Sequence, residues 1–262
     1  MWLSDAANAT VRLFLAPVCL CCRAPLDTPL RSPVCPACWR GITAITPPCC
    51  VICGDALSVF DADGRLCARC EAEPPPFTRA RSAGRYDGPL RALIHALKYR
   101  HCRALAAPLA ALTVRAGADV LSGADALVPV PLHAWRAFTR GFNQADDLAR
   151  AMGVPVWRVL RRRRRGPAQV TLSATERHAN VRGAFALTRR AAASAPIRRR
   201  LARSTVVVVD DVMTTGATIA ACCRVLADAG VSDVRALTVA RAPTPPHARR
   251  PSLHRLEPAS RR

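Results

Sequence analysis

Thr205-Val206-Val207-Val208-Val209-Asp210-Asp211-Val212-Met213-Thr214-Thr215-Gly216-Ala217-Thr218 is the stretch that decides the fold. Its first five residues are β-branched with no polar alternation, as expected of a strand covered on both faces inside a parallel sheet. Residues 217–229 continue with helical spacing up to Gly230, and residues 234–239 read as the next strand. Strand, helix, strand is the grammar of an α/β protein. Upstream, residues 126–131 give another buried strand that ends in proline. Asn143 is placed to N-cap a helix stopped by Gly153, with Asp146 and Asp147 complementing its dipole. Leu90, Leu93, Ile94 and Leu97 form the apolar stripe of a helix over 89–99, and Arg91, His95 and Lys98 share a neighbouring face. The fold class expected is α/β: a parallel sheet flanked by helices.

The same stretch carries chemistry. Asp210 and Asp211 fall at the C-terminal end of a strand, where ligands bind in open α/β sheets. Two adjacent carboxylates suit a sugar cis-diol, whose hydroxyls they accept as hydrogen bonds, or a Mg²⁺ held beside it. Met213, Thr214, Thr215, Gly216, Ala217 and Thr218 then run into a helix. Small residues let the backbone close on an anion, glycine permits positive φ, and the helix dipole adds a favourable field. Acids on one side and an anion nest on the other describe a ribose 5-phosphate.

Around this centre the chain has 262 residues, 50% of them hydrophobic and 22% charged, enough apolar material for a core. Basic residues number 39 against 18 acidic, a formal charge of +21, and Lys98 is the sole lysine. No apolar run is long enough for a transmembrane helix, and the start lacks the pattern of a secretory signal. A cytoplasmic protein without a membrane span is expected. Composition divides the chain into an N-terminal helix over 1–16, a cysteine-rich part over 17–76, an α/β domain over 77–242 and a basic, disordered tail over 243–262.

Thirteen cysteines are present, and eight fall into Cys-x-x-Cys pairs: Cys19/Cys22, Cys35/Cys38, Cys50/Cys53 and Cys67/Cys70. Two such pairs complete one tetrahedral Zn²⁺ site, so the segment is expected to be a double zinc ribbon holding up to two structural ions. Sequential pairing is expected, with an interleaved cross-brace as the alternative. The segment has few large apolar residues, so metal would supply most of its folding free energy. Cys21, Cys49, Cys102, Cys222 and Cys223 read as bystanders.

The acid-and-threonine stretch closely resembles the phosphoribosyl pyrophosphate loop of type I phosphoribosyltransferases. The whole chain resembles the ComF family of competence-associated, phosphoribosyltransferase-like proteins. Beyond the cysteine-rich start, the resemblance is carried by Tyr86-Asp87-Gly88-Pro89-Leu90 with Lys98-Tyr99, and by Val128-Pro129-Val130-Pro131-Leu132-His133 leading to Arg140-Gly141-Phe142-Asn143-Gln144. It continues in Gln169-Val170-Thr171-Leu172-Ser173, leading to Arg177 and to Asn180-Val181-Arg182-Gly183-Ala184-Phe185. The resemblance implies a phosphoribosyltransferase core with a small hood. Asp210 and Asp211 would meet the ribose hydroxyls or Mg²⁺, and residues 213–218 the 5-phosphate. Arg136, Arg140 and Lys98 are candidates for the pyrophosphate side, and Gln169 and Arg177 for a mobile loop over the site. Such enzymes displace pyrophosphate from ribose C1 through a transition state with oxocarbenium character. Purine-salvage members can carry an aspartate three positions after the second acid; Thr214 stands there, which makes a purine acceptor a poorer fit. The implied context is competence, the uptake of single-stranded DNA.

Residues 158–203 hold 14 Arg and one Glu, and residues 161–165 are an unbroken arginine block, expected to be a solvated loop. Its functional reading is a landing surface for phosphates of substrate, DNA or RNA. Two roles therefore compete: a Mg²⁺-dependent transferase with an unidentified acceptor, and a non-catalytic adaptor contacting single-stranded DNA or competence machinery.

Overall fold

The computed structural model describes residues 2–57, 66–132, 139–163 and 183–243. The chain enters as α1 (Trp2–Leu15), passes through a cysteine-rich region with two one-turn helices, α2 (Pro36–Arg40) and α3 (Ala68–Ala72), and then builds its sheet. That sheet comprises β1 (Arg79–Arg85), β2 (Ala126–Pro129), β5 (Thr205–Met213) and β6 (Asp233–Arg241) in the order β1-β6-β5-β2. All three pairings are parallel. Helices α4 (Gly88–Tyr99), α5 (Ala106–Ala116), α6 (Ala118–Leu121), α7 (Gln144–Arg150) and, later, α10 (Ala217–Asp228) supply the crossovers. A separate antiparallel pair, β3 (Leu160–Arg162) with β4 (Phe185–Leu187), forms a small hood, followed by α8 (Arg189–Ala193) and α9 (Ala195–Ala202).

The sheet sorts its side chains into two cores because successive residues of a strand face opposite ways. Val206 and Val208 of β5 join Ile219, Cys222, Cys223 and Leu226 of α10 and Phe185 of the hood. Val207 and Val209 join Leu90, Leu93, Ile94 and Leu97 of α4, together with Leu109 and Leu148. Each core also takes in one half of the cysteine-rich region. Cys50, Cys53, Cys70 and Phe77 pack with the first, and Cys19, Leu26, Val34 and Cys38 with the second. Cys222 and Cys223 are accordingly core residues.

Local signals explain the helix boundaries. Asn143 Oδ1 accepts from Ala145 N–H at 3.1 Å, the expected N-cap. α7 already ends at Arg150, three residues before Gly153, whose φ of 79° turns the chain away. The valine strand runs beyond 209, through both aspartates to Met213, because its ladder with β6 continues as Asp210↔Thr238 and Met213↔Arg241. The arginine block departs from the solvated loop expected of it: Arg161 and Arg162 belong to β3. A two-stranded ladder needs only their backbone, while both side chains stay exposed and Arg162 lies over the Phe185 ring, 5.4 Å from its centroid. The rest of that block, the loop bearing Gln169 and Arg177, and the basic tail beyond residue 243 lie outside the described residues. Among the described residues, no helix is long and apolar enough to cross a membrane.

Candidate functional site

β5 carries Asp210 and Asp211 on opposite faces of the sheet's C-terminal edge. Asp211 turns towards α4, where Lys98 Nζ meets its Oδ1 at 2.8 Å. Both side chains are largely withdrawn from water, Lys98 to 16% exposure and Asp211 to 4%, so solvent screens this ion pair little. Asp211 Oδ2 is buried with no hydrogen-bond partner among the described residues. Asp210 turns to the hood side and accepts the Asp211 backbone N–H on Oδ1 at 2.8 Å. Burial, then the negative charge of Asp211, pushes the Asp210 carboxyl up to about 8, while Lys98 and Arg162 pull the other way. Near neutral pH the Asp210 carboxyl is therefore mostly protonated.

The loop that follows has the shape of an anion cradle. Thr214 and Thr215 are exposed, and Gly216 sits at the N-cap of α10 with φ of 80°, a conformation that an L side chain rarely adopts. Thr215 Oγ1 accepts from Ala217 N–H at 3.4 Å, while other N–H groups of the first turn have no intrahelical acceptor. Acids and cradle thus lie within one continuous turn of chain.

The eight paired cysteines fall into two clusters, Cys19, Cys22, Cys35, Cys38 and Cys50, Cys53, Cys67, Cys70, with the sulfurs of each within 4.8 Å of one another. Sequential pairing holds. Sulfur–sulfur distances of 3.8 Å (Cys19–Cys38), 3.7 Å (Cys22–Cys35) and 3.6 Å (Cys53–Cys67) match the ~3.8 Å edge of a tetrahedron with Zn–S bonds of ~2.3 Å. The donor sets therefore fit zinc. The Cys53 thiol is drawn down, first by its hydrogen bond with Cys67 and then, against burial, by the Arg241 guanidinium.

The second cluster is bound to the α/β domain through two arginines. Arg241, at the end of β6 and 3% exposed, donates through Nη1 to Cys53 O at 2.9 Å and contacts Met213 Sδ at 2.9 Å. Its Nη2 reaches Asp55 Oδ2 at 3.0 Å and Cys53 Sγ at 3.6 Å. Arg69, on α3, donates through Nη1 to Thr215 O at 3.1 Å, and its Nη2 lies 3.9 Å from Cys53 Sγ and 4.0 Å from Asp55. Backbone contact is equally close: Ala80 N–H donates to Ile52 O, and a side chain at Gly54 would meet Ala80 O at 2.6 Å.

Of the residues expected at the site from sequence, the structure brings Lys98, Asp210 and Asp211 together. Lys98, a candidate for the pyrophosphate side, is engaged by the second acid. Arg140 donates to Gln144 Oε1 at 3.2 Å and stacks on the Tyr99 ring at 4.8 Å, next in sequence to Lys98. Arg136, Gln169 and Arg177 lie outside the described residues. Arg69 and Arg241 were not singled out from the sequence, where they are two among many arginines.

A parallel sheet with two acids and an anion cradle at its edge is the arrangement of a phosphoribosyltransferase-type domain, and residues 138–254 match the phosphoribosyl transferase domain. Residues 10–71 match the double zinc ribbon domain. Competence protein F of Haemophilus influenzae is 30% identical over 234 residues, covering 86% of this chain and 96% of that protein. The DNA utilization protein YhgH is 31% identical over 241 residues in Salmonella typhi and over 237 residues in Escherichia coli K12, with the same 86% and 96% coverage. The chain belongs to the Competence protein F family.

Proposed function

We propose that the chain binds phosphoribosyl pyrophosphate or a nucleotide together with Mg²⁺, and that it serves DNA uptake in competence as a cytoplasmic protein. The observation that carries the reading is the unbroken run from the Lys98-braced acids into the Gly216 cradle. Asp210 and Asp211 accept the ribose hydroxyls, and residues 213–218 hold the 5-phosphate by backbone N–H groups and threonine hydroxyls. Asp211 Oδ2, buried and without a hydrogen-bond partner among the described residues, is a carboxylate oxygen that would hold Mg²⁺. When bound, that ion supplies the charge that screens a pyrophosphate leaving group. The competence link is supported by the names of the relatives.

As a transferase, the site would act by holding the diol and the phosphate at fixed separation while pyrophosphate leaves ribose C1. The sole lysine contributes by holding Asp211 in place through its 2.8 Å contact. An adaptor reading has its own support. Arg23 of the first zinc ribbon and Arg91, His95 and Arg100 of the α4 segment line an open groove of about 410 Å³ with no acidic residue in its lining. Such a groove suits the phosphates of a single strand.

Calorimetry with phosphoribosyl pyrophosphate and Mg²⁺ tests the first reading. Native protein binds, and the Asp210→Asn/Asp211→Asn double variant does not; a silent native protein overturns it. Because Asp210 must ionise to accept both hydroxyls, affinity rises as pH climbs towards 8, by at most about tenfold per unit, and levels off above. The same raised value makes the folded state lose stability as pH rises from the ordinary aspartate range to about 8, since the unfolded carboxyl ionises first. Asp210→Asn alone flattens both profiles.

A further inference from the structure

Beside the phosphate cradle lies a cavity of about 360 Å³, walled on one side by Met213, Thr215, Gly216 and Ala217 and on the other by Cys53, Cys70 and the 74–76 proline run. The cradle is therefore not packed against the zinc ribbon along this flank. The Arg69 side chain spans the gap, with one nitrogen on the Thr215 carbonyl and the other near the Cys53 sulfur. A second arginine holds the base of the same loop, where Arg241 touches Met213 Sδ while donating to Cys53 O. Both arginines converge on the knuckle of one metal cluster. Among the described residues the first cluster has no such link to the loop: Cys19 and Cys38 pack in the opposite core.

We propose that Arg69 is a positioning residue for the phosphate loop, and that the second zinc cluster sets the loop's geometry through it. This rests on the loop being the phosphate site. With Cys53 held as a ligated thiolate, the Arg69 guanidinium is fixed between that sulfur, Asp55 and Thr215 O, and the carbonyl of Thr215 is kept turned away from an incoming anion. An arginine suits this role because its planar fork reaches two acceptors at once. Losing the cluster by metal removal frees Arg69 and slackens the cradle, so sugar-phosphate binding is coupled to the state of the second ribbon.

The full-length, zinc-loaded chain provides the test, read by amide hydrogen exchange over residues 213–218 and by calorimetry with phosphoribosyl pyrophosphate and Mg²⁺. Arg69→Ala is expected to keep both metal ions, to speed exchange of the loop amides about tenfold and to weaken binding about tenfold, the effect of one charged hydrogen bond. Arg69→Lys recovers part of this, because one donor of the fork is kept. Arg81→Ala is the control: Arg81 donates to Val51 O at 3.3 Å in the same ribbon but does not reach the loop, so both readouts stay native. Cys67→Ser, which opens the second cluster, is expected to reproduce the Arg69→Ala exchange pattern. Native exchange in Arg69→Ala, or an equal effect from Arg81→Ala, overturns the proposal. If the native chain binds no sugar phosphate, the reading of the loop as a phosphate site fails, and the exchange comparison still decides whether Arg69 is a strut.

Discussion

The two zinc ribbons share one ligand chemistry and differ in what surrounds it. The first rests on the α4 side of the sheet through Leu26, Val34 and Cys38, tied to α1 by Leu30 N–H donating to Asn8 Oδ1 at 3.1 Å. Its arginine at position 23 faces the open groove. The second is fastened to the α/β domain by polar clamps at the C-terminal end of β6 and at Thr215 of the loop after β5. One ribbon is a platform with its charges turned outward; the other is part of the foundation of the candidate site. What separates them is the pairing of nearby arginines, not the metal.

The sharpest way to break this contrast is to remove the clamps. Arg241→Ala leaves Asp55 and the Cys53 carbonyl without their buried partner and is expected to cost about 3–5 kcal/mol in urea unfolding. Arg23→Ala, at the matching surface of the first ribbon, should stay within about 0.5 kcal/mol. Equal effects would erase the distinction. Next in size is Gly54→Ala. The added carbon meets Ala80 O at 2.6 Å at a φ of 68°, so a loss of about 1–3 kcal/mol is expected. Gly123→Ala, also at φ of 68° but in open space, isolates the backbone part and should cost less.

The smallest effect sharpens the other half of the comparison. If the first ribbon's groove receives single-stranded DNA, Arg23→Ala and Arg91→Ala each lower the slope of log affinity against log salt by about 0.7. Fluorescence anisotropy with a labelled strand at several salt concentrations reads this directly. An unchanged slope removes the groove from any DNA role.

The centre of the fold was legible because residues 205–209 have no polar position, and only a doubly covered strand tolerates that. The cysteine pairs were legible because two-residue spacing is itself the geometry of metal knuckles. The extension of β5 to Met213 was hidden: side-chain pattern stops at Asp210, but the ladder is made of backbone. Lys98 drew attention as the sole lysine, yet its contact with Asp211 joins residues far apart in sequence, which no local period encodes. Arg69 and Arg241 gave no signal at all. In a chain this rich in arginine, residue type does not distinguish a clamp from a solvated charge. Only burial does, and burial is a property of the folded chain.

Arg241 and its partner Asp55 are separated by 186 positions. During synthesis the second knuckle leaves the ribosome long before the last strand that completes its surroundings. The first ribbon can close on its metal while translation continues, whereas the second, which carries Arg69 from the start, gains the Arg241 guanidinium only when β6 has docked. Chains that stop short of that strand would carry a thiol cluster with Arg69 but without Arg241, so the synthesis of β6 is also the step that completes the surroundings of a metal site begun in the ribbon.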